Sequence, residues 1–165
     1  MFNLFQWDPQ VAKTIDHHHH KTHIITYAIA GAAATCPLAL VFLFWLKSPG
    51  AALFYIAAML LFFVPLILYH FSRLLEIHKN PTRYRLYDAV MAENHSSFAR
   101  TVYLVLEIRK PNGTTFLADT AGVFSPGVLD RTYYGNFFRI KLQVLYDEEN
   151  GTALVLDPNA DQKKE

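Results

Sequence analysis

Residues Ile24 to Leu46 read IITYAIAGAAATCPLALVFLFWL, and Leu53 to Phe71 read LFYIAAMLLFFVPLILYHF. Neither run contains Asp, Glu, Lys or Arg over its 23 and 19 positions. At roughly 1.5 Å of rise per residue the first helix would reach about 34 Å and the second about 28 Å, close to the ~30 Å hydrocarbon core of a bilayer. A charge at the centre of such a span costs about 2.5–3.5 kcal/mol on insertion, and both runs avoid that cost. The two runs therefore predict two transmembrane helices, and the rest of the chain is placed by them.

Between them lies Lys47-Ser48-Pro49-Gly50-Ala51-Ala52. Pro and Gly end a helix and turn the chain, and a connection this short forces an antiparallel hairpin. Both flanks then lie on one side. They carry Lys13, Lys21, Arg73, Lys79, Arg83 and Arg85, against Lys47 alone in the turn. The side richer in Lys and Arg is normally cytoplasmic, so the expectation is a multi-pass inner-membrane protein with both termini in the cytoplasm. Tyr27, Trp45, Tyr55 and Tyr69 fall near the span ends, where amphipathic rings prefer the interface.

Within the spans, Gly31-Ala32-Ala33-Ala34-Thr35 forms a small-residue patch, with Ala57 and Ala58 opposite it in sequence. Small residues let helices approach closely in lipid, so Gly31, Ala34 and Ala57 are candidate helix-packing positions. They would serve the hairpin itself or a second membrane protein. Pro37 and Pro65 each kink a span and free a backbone carbonyl. Neither span holds a charged residue to bind a substrate, which argues against a pore or pump built by this chain alone.

The chain has 165 residues and a formal net charge of +1. A nucleic-acid binder would show a basic surface, so that class is not expected. The single cysteine, Cys36, lies in the first span and leaves no disulfide for the remainder, which fits a reducing compartment. Ala33-Ala34-Thr35-Cys36 is a poor lipobox, because the apolar run continues past the cysteine. The opening positions lack signal-peptide character, so the first span is expected to act as an uncleaved targeting signal.

Ahead of the first span, Leu4, Trp7, Val11 and Ile15 fall at helical spacing, with Asp8 a suitable N-cap and Pro9 following it. Residues 1–23 read either as an interfacial anchor or as a flexible tail. His17-His18-His19-His20 and His23 raise a metal question, since imidazole binds zinc, nickel and copper. Four consecutive helical residues point to different sides, and no second shell is visible, so a solvated linker is expected and no metal is assigned. A pH-sensitive patch is the other reading. His70 and His78 are two turns apart, with no nearby sequence partner completing a ligand set.

From Tyr84 the periodicity changes from helix to strand. Val102, Leu104, Leu106 and Ile108 alternate with Tyr103, Val105, Glu107 and Arg109. Pro111-Asn112-Gly113 predicts a hairpin turn, with Asn-Gly supplying positive φ. Phe138, Ile140, Leu142, Val144 and Tyr146 alternate with Arg139, Lys141, Gln143, Leu145 and Asp147, and Thr152–Leu156 closes a second hairpin. The fold class expected is a membrane α+β protein: a two-helix transmembrane hairpin followed by a small antiparallel β barrel or sandwich of about five strands. Its parts are residues 1–23, the hairpin at 24–79, the β domain at 80–158 and a polar tail at 159–165.

The stretch from Leu142 to Leu156, LQVLYDEENGTALVL, resembles the closing box of a bacterial membrane family of unknown function. Members of that family combine transmembrane helices with a small β domain ending in a hydrophobic strand, Tyr-Asp, a Pro/Asn turn and a short strand. Tyr103 to Gly113 is similar to an earlier strand of that family. Here Glu148 stands where Pro is usual, and Asn150-Gly151 replaces Asn-Pro. A membrane hairpin with a β domain is also similar to the NfeD-like proteins and their OB-type domain, although their glycines do not align. Neither resemblance implies an enzyme activity.

No Gly-x-x-x-x-Gly-Lys, Gly-x-Gly-x-x-Gly or Gly-x-Ser-x-Gly occurs, and Asp119 has no paired base at motif spacing. Asp147, Glu148 and Glu149 read as a solvated turn cluster. No catalytic residue and no cofactor is assigned. The segment 122–138 gathers apolar and aromatic groups, most of them expected in a core. If exposed, Phe124, Arg131, Tyr133, Tyr134 and Phe137 form a candidate partner-binding patch. The partners expected are the lipid bilayer and another membrane protein or a second copy of the chain. The functional expectation is a membrane-anchored accessory or scaffold protein presenting a cytoplasmic β domain. The alternatives are a membrane-bound enzyme with a dispersed site, or a subunit of an oligomeric channel or transporter.

Overall fold

The computed structural model describes residues 7–96, 101–120, 123–124 and 141–157. These divide into two compact units: residues 18–79, and a second unit in which the stretch before the helices joins the chain after them.

The first unit is the helical hairpin. Helix α1 (Ile15–Leu40) continues as a turn of π-helix at Val41–Trp45, and helix α2 spans Pro49–His78. Thr14 starts α1, its hydroxyl accepting from the His17 N–H at 3.2 Å as an N-cap. Lys47, at φ +48°, is the only non-glycine with positive φ among the described residues, and it breaks the helix ahead of Pro49. Pro49 then opens α2 in the first turn, where its missing N–H costs nothing.

Both helices are long and apolar enough to cross a membrane, with mean hydropathy 2.0 and 2.6, and only 6% of each apolar window is buried. Phe44, Trp45, Phe54 and Leu61 are each more than three-quarters exposed. Side chains of the two helices meet at separate levels. The Gly31 backbone faces the Phe63 ring, so a Cβ there would lie 3.1 Å from Phe63 Cγ. The Tyr55 hydroxyl donates to the Ala34 carbonyl at 3.1 Å. Ala57 is exposed, and Ala58 is half-buried. Cys36 is exposed on α1.

Over its described residues the second unit is a six-stranded sheet: β1 (Tyr84–Ser96), β2 (Thr101–Arg109), β3 (Thr115–Thr120), the two-residue β4 (Val123–Phe124), β5 (Lys141–Asp147) and β6 (Thr152–Val155). The order is β1-β5-β6-β3-β2-β4, and β1 also pairs with β2, so the pairings return to their starting strand. All pairings are antiparallel except β3 with β6, which is parallel and joins strands distant in sequence. A bulge between Met91 and Glu93 shifts the β1–β2 register by one residue.

Alternation sets the core. Leu104, Leu106 and Ile108 on β2 are wholly buried and meet Ala89, Met91, Leu142, Val144, Ala153 and Val155. Burying each of the three β2 side chains is worth about 1.5–3 kcal/mol. The β2–β3 turn uses Gly113 at φ +85°, while Asn112 accepts from the Thr114 N–H and hydroxyl. Asn112 thus acts through its side chain, and only Gly113 takes the positive φ expected of both.

Two expectations change. The stretch before α1 is neither an interfacial anchor nor a loose tail over its described residues. Asp8 caps a 3₁₀ turn at Val11–Lys13. Val11 and Thr14 are buried, and Ile15 belongs to the strand core. Thr14 bridges Leu156, and the Asp157 N–H donates to the Lys13 carbonyl at 3.0 Å. The second change concerns β5, whose mixed face is covered at its far end, where Leu145, Asp147 and the opposing Leu154 are buried, while Lys141 and Gln143 stay exposed.

Candidate functional site

The histidines before the first apolar run are sorted by the helix they share. His18 is exposed, while His17, His19 and His20 are buried. Successive helical residues diverge by about 100°, so His19 and His20 leave α1 in different directions. Buried His70 of α2 meets both. Its Nδ1 lies 2.9 Å from His20 Nδ1, and its ring centroid is 5.9 Å from that of His19. One ligand atom from each of His19, His20 and His70 can be chosen so that all lie within 4.8 Å of one another.

Rings around this triad hold it in place. His23 Nδ1–H donates to the His19 carbonyl at 2.9 Å, which fixes the tautomer of His23. Its ring stacks on His70 with centroids 4.9 Å apart and planes 22° from parallel. Tyr69 stands edge-on to His70, and Tyr27 lies against the other rings at 5.6–5.7 Å. Arg73, one turn beyond His70, is paired with Glu76.

Consecutive histidines do diverge on α1, and the side chain that meets two of them, His70, comes from 50 residues beyond His20. Counting outward from the Lys47–Gly50 turn sets His70 opposite Tyr27, about two turns short of His20, so the meeting is not visible from spacing along the two helices alone.

The acidic turn is different from what was expected. Asp147 is fully buried rather than solvated. Arg83 Nε reaches its Oδ2 at 3.0 Å, the Asn150 side chain donates to Oδ2 at 2.7 Å, and the N–H groups of Glu149 and Asn150 donate to Oδ1. Burial pushes this carboxyl upward, but the Asn150 and Glu149 hydrogen bonds and Arg83 outweigh it and hold the carboxyl below its usual range. The carboxylate organises the β5–β6 turn, which Gly151 completes at φ +68°. Glu148 stays outside, accepting from the Tyr87 hydroxyl at 3.0 Å.

A groove of about 460 Å³ on the sheet is lined by Asp88, Glu107, Arg109 and Lys141 among others. Its mixed charges converge on no single chemistry. Of the candidate partner-binding residues, Phe124 lies in β4 with its backbone paired to Thr101. Arg131, Tyr133, Tyr134 and Phe137 lie outside the described residues.

No family model, curated protein or solved structure matches this chain.

Proposed function

We propose that this chain is a membrane-anchored accessory or scaffold protein, whose hairpin sits in the inner membrane and whose strand unit is presented to the cytoplasm for protein–protein interaction. The observation that carries the reading is the contrast between the two units. The helices leave their large apolar side chains exposed, while the strands close over a core of their own. A soluble protein would bury two such helices, and a bilayer is the solvent that accepts them. The pairing of residues 14 and 156 supports a common side for both flanks, because one unit is built from both. The excess of Lys and Arg on those flanks supports the cytoplasmic side. The ring of strand pairings supports a small barrel, a frame that commonly presents binding surfaces.

Labelling of engineered cysteines in whole cells tests the reading. With Cys36→Ser as background, Lys47→Cys is expected to react with an impermeant maleimide from outside. Asn112→Cys is expected to react only after the membrane is opened. Labelling of Asn112→Cys in intact cells, or release of the chain by alkaline carbonate, would overturn the arrangement. Crosslinking of the inserted chain, followed by mass spectrometry, tests the accessory role, and recovery of no bound protein would count against it.

A further inference from the structure

We propose that His19, His20 and His70 bind one first-row transition ion of the Zn²⁺ or Cu²⁺ class, tying α1 to α2. The donor set selects the ion class. Three imidazoles with no carboxylate or thiolate among them suit zinc and copper, whereas Ca²⁺ and Mg²⁺ need oxygen ligands. The spacing is close to what coordination requires. Two nitrogens bound to one tetrahedral zinc at about 2.0–2.1 Å each stand about 3.3 Å apart. His20 and His70 share an Nδ1···Nδ1 hydrogen bond at 2.9 Å, which an ion held between them would replace, and one ligand atom from each of the three residues lies within 4.8 Å of the others.

The surroundings favour a preformed site. All three residues are buried, at 8%, 6% and 2% exposure, and the stacked His23 and the flanking Tyr69 limit the rotation of the His70 ring. Rings pinned in this way lose little freedom when an ion arrives. Arg73 brings positive charge nearby, and its pairing with Glu76 offsets it. Three ligands leave a fourth position open on a tetrahedral ion, as in sites that bind water or pass a metal onward. The site belongs to the folded hairpin, not to the histidine run, because one ligand is on the second helix.

That dependence gives the test. The full chain, purified in detergent through a tag without histidine, is stripped with a chelator and titrated with Zn²⁺ against a chromophoric competitor. One ion per chain is expected. His18→Gln, changing the exposed member of the run, is expected to leave affinity unchanged, and His70→Gln to weaken it about 100-fold or more. Co²⁺ substitution should give the visible absorption of a four-coordinate site. A wild-type chain that takes up no ion would overturn the proposal. So would a His70→Gln chain that binds as tightly as wild type, since the run alone would then be the ligand. Helicity measured in parallel reports whether His70→Gln folds. If it does not, His70→Cys replaces it, where a thiolate-to-cobalt band in the near ultraviolet is expected and its absence from the folded variant counts equally against the site.

Discussion

At the scale of single residues, Asp147 is the group on which the strand unit is most exposed to damage. Its carboxylate accepts three hydrogen bonds, pairs with the Arg83 guanidinium at 3.0 Å and is wholly buried. Replacing it with Ala leaves the Arg83 guanidinium without its buried counter-charge, a change that typically costs about 3–5 kcal/mol. Chemical denaturation of the full chain in detergent, followed by fluorescence of the strand unit, is expected to show that loss. The same group sets an acid limit. Because its folded pKa is depressed, its contribution is complete above the unfolded carboxyl value of about 3.9 and disappears as pH falls through the lower folded value. Stability measured from pH 6 down to pH 2 should therefore fall on the acid limb, and Asp147→Asn should flatten that limb. Little of this was legible beforehand. Three acidic residues in a turn look alike in sequence, and only the fold separates buried Asp147 from Glu148 and Glu149.

Elements divide into those whose signal is local and those whose signal is not. The hairpin and the strands were legible because charge-free length and alternation are properties of continuous segments. The parallel pairing of β3 with β6 was not, since Asp119 and Thr152 are brought together by the whole arrangement of strands. The 3₁₀ turn before α1 was missed for a related reason. It is three residues long, and its apolar neighbour Ile15 reads with Leu4, Trp7 and Val11 as one face of an interfacial helix rather than as part of a core. Ile15→Ala is expected to destabilise the strand unit by about 2–5 kcal/mol, which is the size of effect found for buried aliphatic truncations. Slower exchange of β5 and β6 amides in wild type than in the variant would register it. A loose tail at this position would give no change. Within the hairpin, Gly31→Leu places a side chain into the Phe63 ring and is expected to cost about 1–3 kcal/mol through overpacking. Loss of hairpin stability in monodisperse detergent solution would place the glycine in packing within one chain. An effect confined to oligomer formation would place it in contact between chains.

For the whole molecule, the histidine triad illustrates why function was less legible than architecture. His20 and His70 are unremarkable in sequence, one inside a polyhistidine run and the other at the end of an apolar one. Their meeting depends on the antiparallel course of the two helices, which is a property of the chain as a unit. The candidate partner-binding aromatics rest on exposure, which sequence does not encode for a single segment. The segment before the hairpin and the strands after it are joined by the Thr14–Leu156 bridge, so one unit is built from both ends of the sequence. The early segment is made before the helices and completes its pairing only once the last strand has been synthesised. A fragment begun at Asn80 for crystallisation would lack the side chain that plugs its interior, and would be expected to aggregate unless the first seventeen residues were supplied to it as a peptide or spliced onto its end.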